Sequence, residues 1–199
     1  MDHLEQVAKS LATLQHQHST ELLEPLYRVV AEKEVYRLRG MALSKGDKGF
    51  LLTGPKHSGK SPLSEHFAID GAKVMSYGNS FVFRKGSDFH IVPGNWPELR
   101  IQVERETETK PLSFIVGISS GDEISFEDLS QQHLIENALG NYEPKPQQQA
   151  GDILVHKFEQ IPSLHFQRKH IGKSDEGMAF NNVYKALYQE LVRREWLPV

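Results

Sequence analysis

Leu4, Val7, Ala8, Leu11 and Leu14 recur at helical spacing, so residues 2–15 read as an amphipathic helix. Gln15-His16-Gln17-His18 interrupts the stripe, and a second helix is expected over about 20–33 on Leu22, Leu23, Leu26, Val29 and Val30. From Val35 to Ser44 the pattern turns extended. Lys45-Gly46-Asp47-Lys48-Gly49 is a polar turn, and Phe50–Thr53 is the returning strand of a hairpin. Leu63 and Phe67 then share one helical face, which Asp70-Gly71 ends. Strands are expected at Lys73–Ser76, Ser80–Arg84, Phe89–Val92 and Leu99–Glu104, with turns at Gly78-Asn79, Lys85-Gly86 and Pro93-Gly94. Phe114-Ile115-Val116-Gly117-Ile118 is a continuous apolar run of the kind a buried central strand shows, followed by a Ser119-Ser120-Gly121 turn.

Ser125 with Asp128 has the spacing of a capping box and opens an expected helix that Gly140 closes. Residues 141–150, with Pro144, Pro146 and three glutamines, read as a mobile connection. Ile153–Phe158 suits a helical turn or a strand equally, whereas Leu164–Arg168 alternates as a strand. Phe180, Val183, Tyr184, Leu187, Tyr188, Leu191 and Val192 mark the clearest amphipathic helix, ending near Trp196. Together these elements predict an α/β fold on a mixed sheet, with a helical N-terminal arm (1–34), a main domain (35–199) and a C-terminal helix. The arm is expected to pack on the sheet, because its apolar stripe would otherwise lie exposed; a second subunit, and so a homo-oligomer, is the competing explanation.

Composition narrows the classes. The 199 residues carry 23 basic and 26 acidic side chains, with no basic stripe interleaved with aromatics, which argues against a nucleic-acid partner. No apolar run approaches the ~20 residues of a membrane span, and acids stand where a signal peptide needs positive charge, so a cytoplasmic protein is expected. Cysteine is absent, which excludes disulfides and thiolate zinc sites.

The chemistry concentrates in residues 49–63. Gly54, Gly59, Lys60 and Ser61 fit the phosphate-loop pattern G-x-x-x-x-G-K-[ST], and Phe50–Thr53 supplies the strand that should precede it. Glycines let backbone approach a polyphosphate closely, and successive amides with the helix N-terminus behind them point at the anion. Lys56, His57, Ser58, Gly59, Lys60 and Ser61, with Gly54, are therefore the expected phosphate-binding residues. Lys60 would set its charge against the β- and γ-phosphates of ATP and act as the catalytic residue, and Ser61 would offer its hydroxyl to Mg²⁺.

The order of elements resembles the catalytic domain of the HPr kinase/phosphorylase family, which shares a nucleotide fold with phosphoenolpyruvate carboxykinase. The similar features are the Arg39-Gly40 strand opening, Gly49–Gly54 and the loop, Gly71-Ala72-Lys73-Val74-Met75-Ser76, and the late Ile161-Pro162-Ser163-Leu164-His165-Phe166 segment. The resemblance implies ATP, Mg²⁺ and γ-phosphoryl transfer to a protein serine or a small hydroxylated acceptor. Two departures oppose transfer. Where the family carries paired aspartates that hold the metal and activate the acceptor, this chain reads Ser76-Tyr77-Gly78-Asn79. Pro62 also follows Ser61 directly, and a residue before proline is pushed away from the α region.

Carboxylates elsewhere do not restore the pair on sequence grounds. Asp122 and Glu123 read as a polar turn, Glu65 as a solvated helix face, Asp70 as a helix end and Asp88 as a hairpin turn. Arg168-Lys169-His170 is a basic triplet that either contacts an anion or caps a solvated strand end. His16 and His18 lack company for metal binding, Gly172-Lys173-Ser174 lacks its upstream glycine, and Trp96 and Trp196 read as packing residues. The functional expectation is a kinase-like phosphotransferase; the alternative is a relative that binds nucleotide or phosphate and acts as a regulatory or partner protein.

Overall fold

The computed structural model describes residues 3–17, 20–94, 103–128, 158, 160–169 and 176–198. Helices α1 (His3–Gln17) and α2 (Thr20–Ala31) lead into β1 (Val35–Arg39), β2 (Met41–Lys45) and β3 (Lys48–Thr53). After α3 (Lys60–Ile69) come β4 (Lys73–Ser76), β5 (Asn79–Lys85), β6 (Asp88–Val92) and β7 (Lys110–Gly121). The chain closes with β8 (Ser125–Glu127), β9 (Ser163–Lys169) and α4 (Glu176–Arg193).

All strands join one curled, mixed sheet with the path β1-β5-β6-β7-β3-β2-β4. Its long strand, β7, pairs β6 at Lys110–Pro111, lies parallel to β3 from Leu112 to Gly117, and lies parallel to β9 from Ile115 to Gly121. Three adjacent parallel strands, β3, β7 and β9, thus end on one side. In such sheets ligands bind beyond the carboxyl ends of the strands. The other pairings are antiparallel, including the expected β2–β3 hairpin.

Alternation along the strands divides the core. Phe50, Leu52, Phe114, Val116, Ile118, Leu164 and Phe166 face α3 and α4, where they meet Leu63, Phe67, Val183, Leu187 and Leu191. Leu51 and Ile115 face the opposite way, against Tyr36, Leu38, Val82, Ile91 and Phe158 inside the curl. Strands buried on both faces read as unbroken apolar runs, hence the Phe114–Ile118 signal. A third cluster places Ala8, Leu11, Leu23 and Tyr27 of the helical arm on Val35, Phe81, Phe83 and Val92. The arm therefore packs on the outer face of β1, β5 and β6.

Several expectations need correction. The first helix continues through His16-Gln17, since polar residues in the last turn of a helix cost it little. Helix α2 buries Leu23 and Tyr27, with Val30 packed beside them, but leaves Leu22, Leu26 and Val29 exposed, so only part of its apolar set is its buried face. The extended run from Val35 breaks at Gly40, whose N–H turns to the Gly78 carbonyl at 3.0 Å, and β1 departs to pair β5 while β2 pairs β3. Ser119-Ser120-Gly121 is the end of β7 rather than a turn, held by pairing to β9. Ser125 starts a strand rather than the expected helix, because β9 offers it an antiparallel edge; the rest of that expected helix, 129–140, lies outside the described residues. Of the strand expected at Leu99–Glu104, residues 99–102 lie outside the described residues, and Val103 and Glu104 lie outside any strand; Arg105 makes an isolated bridge to Val74. The expected connection at 141–150, most of Ile153–Phe158, Trp96, His18, His170 and residues 172–174 lie outside the described residues.

Candidate functional site

The loop from Gly54 to Gly59 joins the end of β3 to the start of α3. Gly54 has φ of 140°, and a Cβ there would come 2.2 Å from the Ile118 carbonyl oxygen of β7, so only glycine admits this approach. Beyond it the sign of φ alternates. His57 has φ of 66° and Gly59 φ of 97°, while Lys56, Ser58 and the helical Lys60 are not among the positive-φ residues. Alternating right- and left-handed residues turn successive N–H groups toward a common centre, the nest that binds anions. The N–H groups of Lys56, His57 and Gly59 meet no acceptor among the described residues, whereas Ser58 N–H closes a turn on the Pro55 carbonyl at 3.2 Å. Helix α3 starts without a side-chain cap. Its first amides add the positive end of the helix dipole to the same place.

The carbonyls of this loop are held from below. Arg168, at the end of β9 and buried, donates Nε–H to the Ser58 carbonyl at 2.6 Å and an Nη2 hydrogen to the His57 carbonyl at 3.3 Å. Peptides are planar and trans, so taking the Ser58 carbonyl turns the Gly59 N–H away from Arg168, toward the open side of the loop. Burial draws the Arg168 pKa down from its ordinary value. The Phe180 ring of α4 lies 5.5 Å from the guanidinium carbon. Arginine suits this role because its planar fork reaches two acceptors at once.

Lys60 folds back over the loop. Its ammonium donates to the Gly54 carbonyl at 2.9 Å, the Pro55 carbonyl at 2.6 Å and Ser58 Oγ at 3.3 Å. Burial first, and the nearby Arg39 charge second, lower its pKa. Arg39 ends β1, and its carbonyl accepts the Thr53 hydroxyl at 2.8 Å at the last residue of β3. Lys56 and His57 are exposed at the loop tip.

Ser61 is helical in spite of Pro62, in the first turn of α3, where the missing proline N–H has no partner to lose. Its hydroxyl sits 2.7 Å from the phenol oxygen of Tyr77, in the β4–β5 turn. The residues here do not fit Mg²⁺. That ion takes hard oxygens in an octahedron, commonly one or two carboxylates with phosphates and water, and the group beside Ser61 is a phenol, not a carboxylate. Among the described residues no group of three or more His, Asp or Glu side chains is arranged to hold a metal.

The structure thus brings Gly54, Lys56, His57, Ser58, Gly59, Lys60 and Ser61 into one loop, and adds Arg168 from the basic triplet. It separates the other candidates. Asp70 accepts the Tyr184 hydroxyl, and Trp196 stacks on Phe114 at 5.1 Å. Arg39 and Tyr77 were missed as contributors: their approach to the loop depends on the β1–β2 break and the β4–β5 turn, and no local pattern announces either. An open depression lined by Glu5, Lys9, Lys85, His90, Glu108 and Thr109 lies over α1 and β6, apart from the loop. No helix among the described residues is long and apolar enough to cross a membrane.

No family model matches the chain, and no curated protein matches it. Among solved structures, the HPr(Ser) kinase/phosphatase from Coxiella burnetii matches with a TM-score of 0.42 and 9% identity, covering 80% of this chain and 92% of that one.

Proposed function

We propose that the chain binds the polyphosphate of a nucleotide, ATP being the reference ligand, in the Gly54–Ser61 loop, and that it acts by binding rather than by phosphoryl transfer. The observation that carries this reading is the alternating φ at His57 and Gly59, with the Lys56, His57 and Gly59 amides unpaired beside an uncapped helix start. Lys60 leaves its loop carbonyls for the incoming phosphates, exchanging neutral acceptors for anionic ones, which form the stronger hydrogen bonds.

Transfer needs a group that orients the acceptor hydroxyl and a means of neutralising charge on the moving phosphoryl group. The turn at Ser76-Tyr77-Gly78-Asn79 supplies no carboxylate for the first task. A regulatory or partner protein that reports nucleotide occupancy is the role these residues suit.

Calorimetric titration with pyrophosphate, ADP and ATP, alongside an assay for released ADP and phosphate, tests the reading. The expected result is saturable binding without turnover, weakened about tenfold or more by Lys60→Ala through loss of a charged hydrogen bond. Absence of affinity for all three ligands overturns it. Turnover that Lys60→Ala abolishes would establish a phosphotransferase instead.

A further inference from the structure

Charge around the loop is one-sided. Lys60 lies over it, Arg168 lies beneath it, and Arg39 is held at its edge, its carbonyl taking the Thr53 hydroxyl at 2.8 Å next to Gly54. Arg39 is exposed and has no ion-pair partner among the described residues. Arg168 is buried under the loop on the Ser58 and His57 carbonyls, so Lys60 and Arg39, with Lys56 exposed at the loop tip, are the cations placed to face a ligand.

The hydroxyl that would reach a divalent ion is engaged. Ser61 Oγ and Tyr77 Oη are 2.7 Å apart, a normal hydrogen bond between hydroxyls. Tyr77 is not a loose surface side chain: its turn is anchored by the Gly40 N–H on the Gly78 carbonyl at 3.0 Å, and the Ser76 and Ser80 hydroxyls bond each other across it. A phenol hydroxyl is a poorer ligand for a hard cation than a carboxylate. It can, however, donate to an anionic oxygen while Ser61 rotates toward the helix carbonyls.

We infer that the site takes a polyphosphate free of divalent cation, with Lys60 and Arg39 supplying the positive charge and the Tyr77–Ser61 hydroxyl pair standing where a metal ion would sit. This rests on the loop being a polyphosphate site, and it goes further by naming the ionic form of the ligand. ATP⁴⁻ and pyrophosphate without Mg²⁺ are the preferred forms, and Mg²⁺ competes with the protein for the same oxygens.

The test is calorimetric titration of the full chain with pyrophosphate and with ATP, once in EDTA and once in excess Mg²⁺. The wild type is expected to bind in EDTA at least as tightly as in Mg²⁺. Arg39→Ala, a change at an exposed position, should weaken binding in EDTA about tenfold and flatten its salt dependence, whereas Ser61→Ala should change it less than threefold. Tyr77→Asp places a carboxylate beside Ser61 and should reverse the preference, so that binding requires Mg²⁺. Wild-type affinity that rises tenfold or more on adding Mg²⁺ overturns the inference while leaving the loop a polyphosphate site. No binding in either buffer overturns both.

Discussion

Arg168 donates Nε–H to the Ser58 carbonyl at 2.6 Å, across 110 residues of sequence, and so ties the end of β9 to the loop that follows β3. Removing the guanidinium leaves two loop carbonyls without their donor. Arg168→Ala should lower the thermal midpoint and weaken pyrophosphate binding about tenfold or more, and Arg168→Lys should rescue little, because an ammonium lacks the planar fork. Gly59→Ala should act on the same contact from the other side. Its Cβ would lie 2.6 Å from Arg168 Nε at a φ of 97°, for a cost of about 1–3 kcal/mol in chemical denaturation.

Glu106 is buried and holds the segment before β7 against β2. It accepts the Ser44 hydroxyl at 3.0 Å and the Thr107 and Glu108 amides, each at 3.0 Å, with Lys110 at 3.6 Å. Burial alone would raise its pKa. The Glu108 amide, the Ser44 hydroxyl, Lys110 and the Thr107 amide overcome that and hold it below its ordinary 4.5. A carboxylate depressed in the fold contributes stability above its unfolded pKa and loses it as pH falls through the folded one. Acid titration of wild type should therefore show a loss of stability below about pH 4.5 that Glu106→Gln blunts. Glu106→Ala should cost about 1–3 kcal/mol at neutral pH, because buried donors lose their acceptor.

Tyr184 of α4 gives its hydroxyl to Asp70, the residue that ends α3, and stacks near His66 at 5.3 Å. Burial first, and the Asp70 carboxylate second, push the phenol above its ordinary value of 10.0. The neutral form is therefore the one the fold stabilises, and that contribution is lost as pH rises past 10 toward the folded value. Tyr184→Phe should cost about 1.5 kcal/mol at pH 7 and flatten the alkaline limb of the stability profile, measured by urea denaturation across pH.

Helix α2 separates hydrophobicity from burial. Leu22 is 73% and Val29 58% exposed, whereas Leu23 is 8% exposed and sits with Tyr27 on the sheet. Leu22→Glu and Val29→Glu should each stay within about 0.5 kcal/mol of wild type. Leu23→Ala should cost about 2–5 kcal/mol, a contrast that one set of denaturation curves would reveal.

Local signals in the sequence were legible, and pairings between distant segments were not. The strand–loop–helix around Gly54 and Lys60 follows from spacing alone, as does the stripe from Val183 to Leu191 that packs on α3. The hairpin of β2 and β3 follows from its polar turn. Ser125 misled because a capping-box spacing says nothing of the neighbouring β9 edge, which claims the residue for a strand. Leu22, Leu26 and Val29 misled because an apolar stripe marks a face able to pack without saying whether anything covers it. In the site the division is the same. Gly54 and Gly59 announce themselves, while Arg168, Tyr77 and Arg39 reach the loop through tertiary geometry that no short window encodes.

The tie between Arg168 and Ser58 sets an order of events in the living chain. Translation delivers the loop motif more than a hundred positions before the guanidinium that seats it, and β7 gains its β9 partner only after that same late stretch emerges. A ribosome-bound fragment ending before β9 would carry every letter of the phosphate pattern and still lack its foundation. Ligand capture should then wait until β9 has emerged, although the hairpin of β2 and β3 already has its parallel partner once β7 is made.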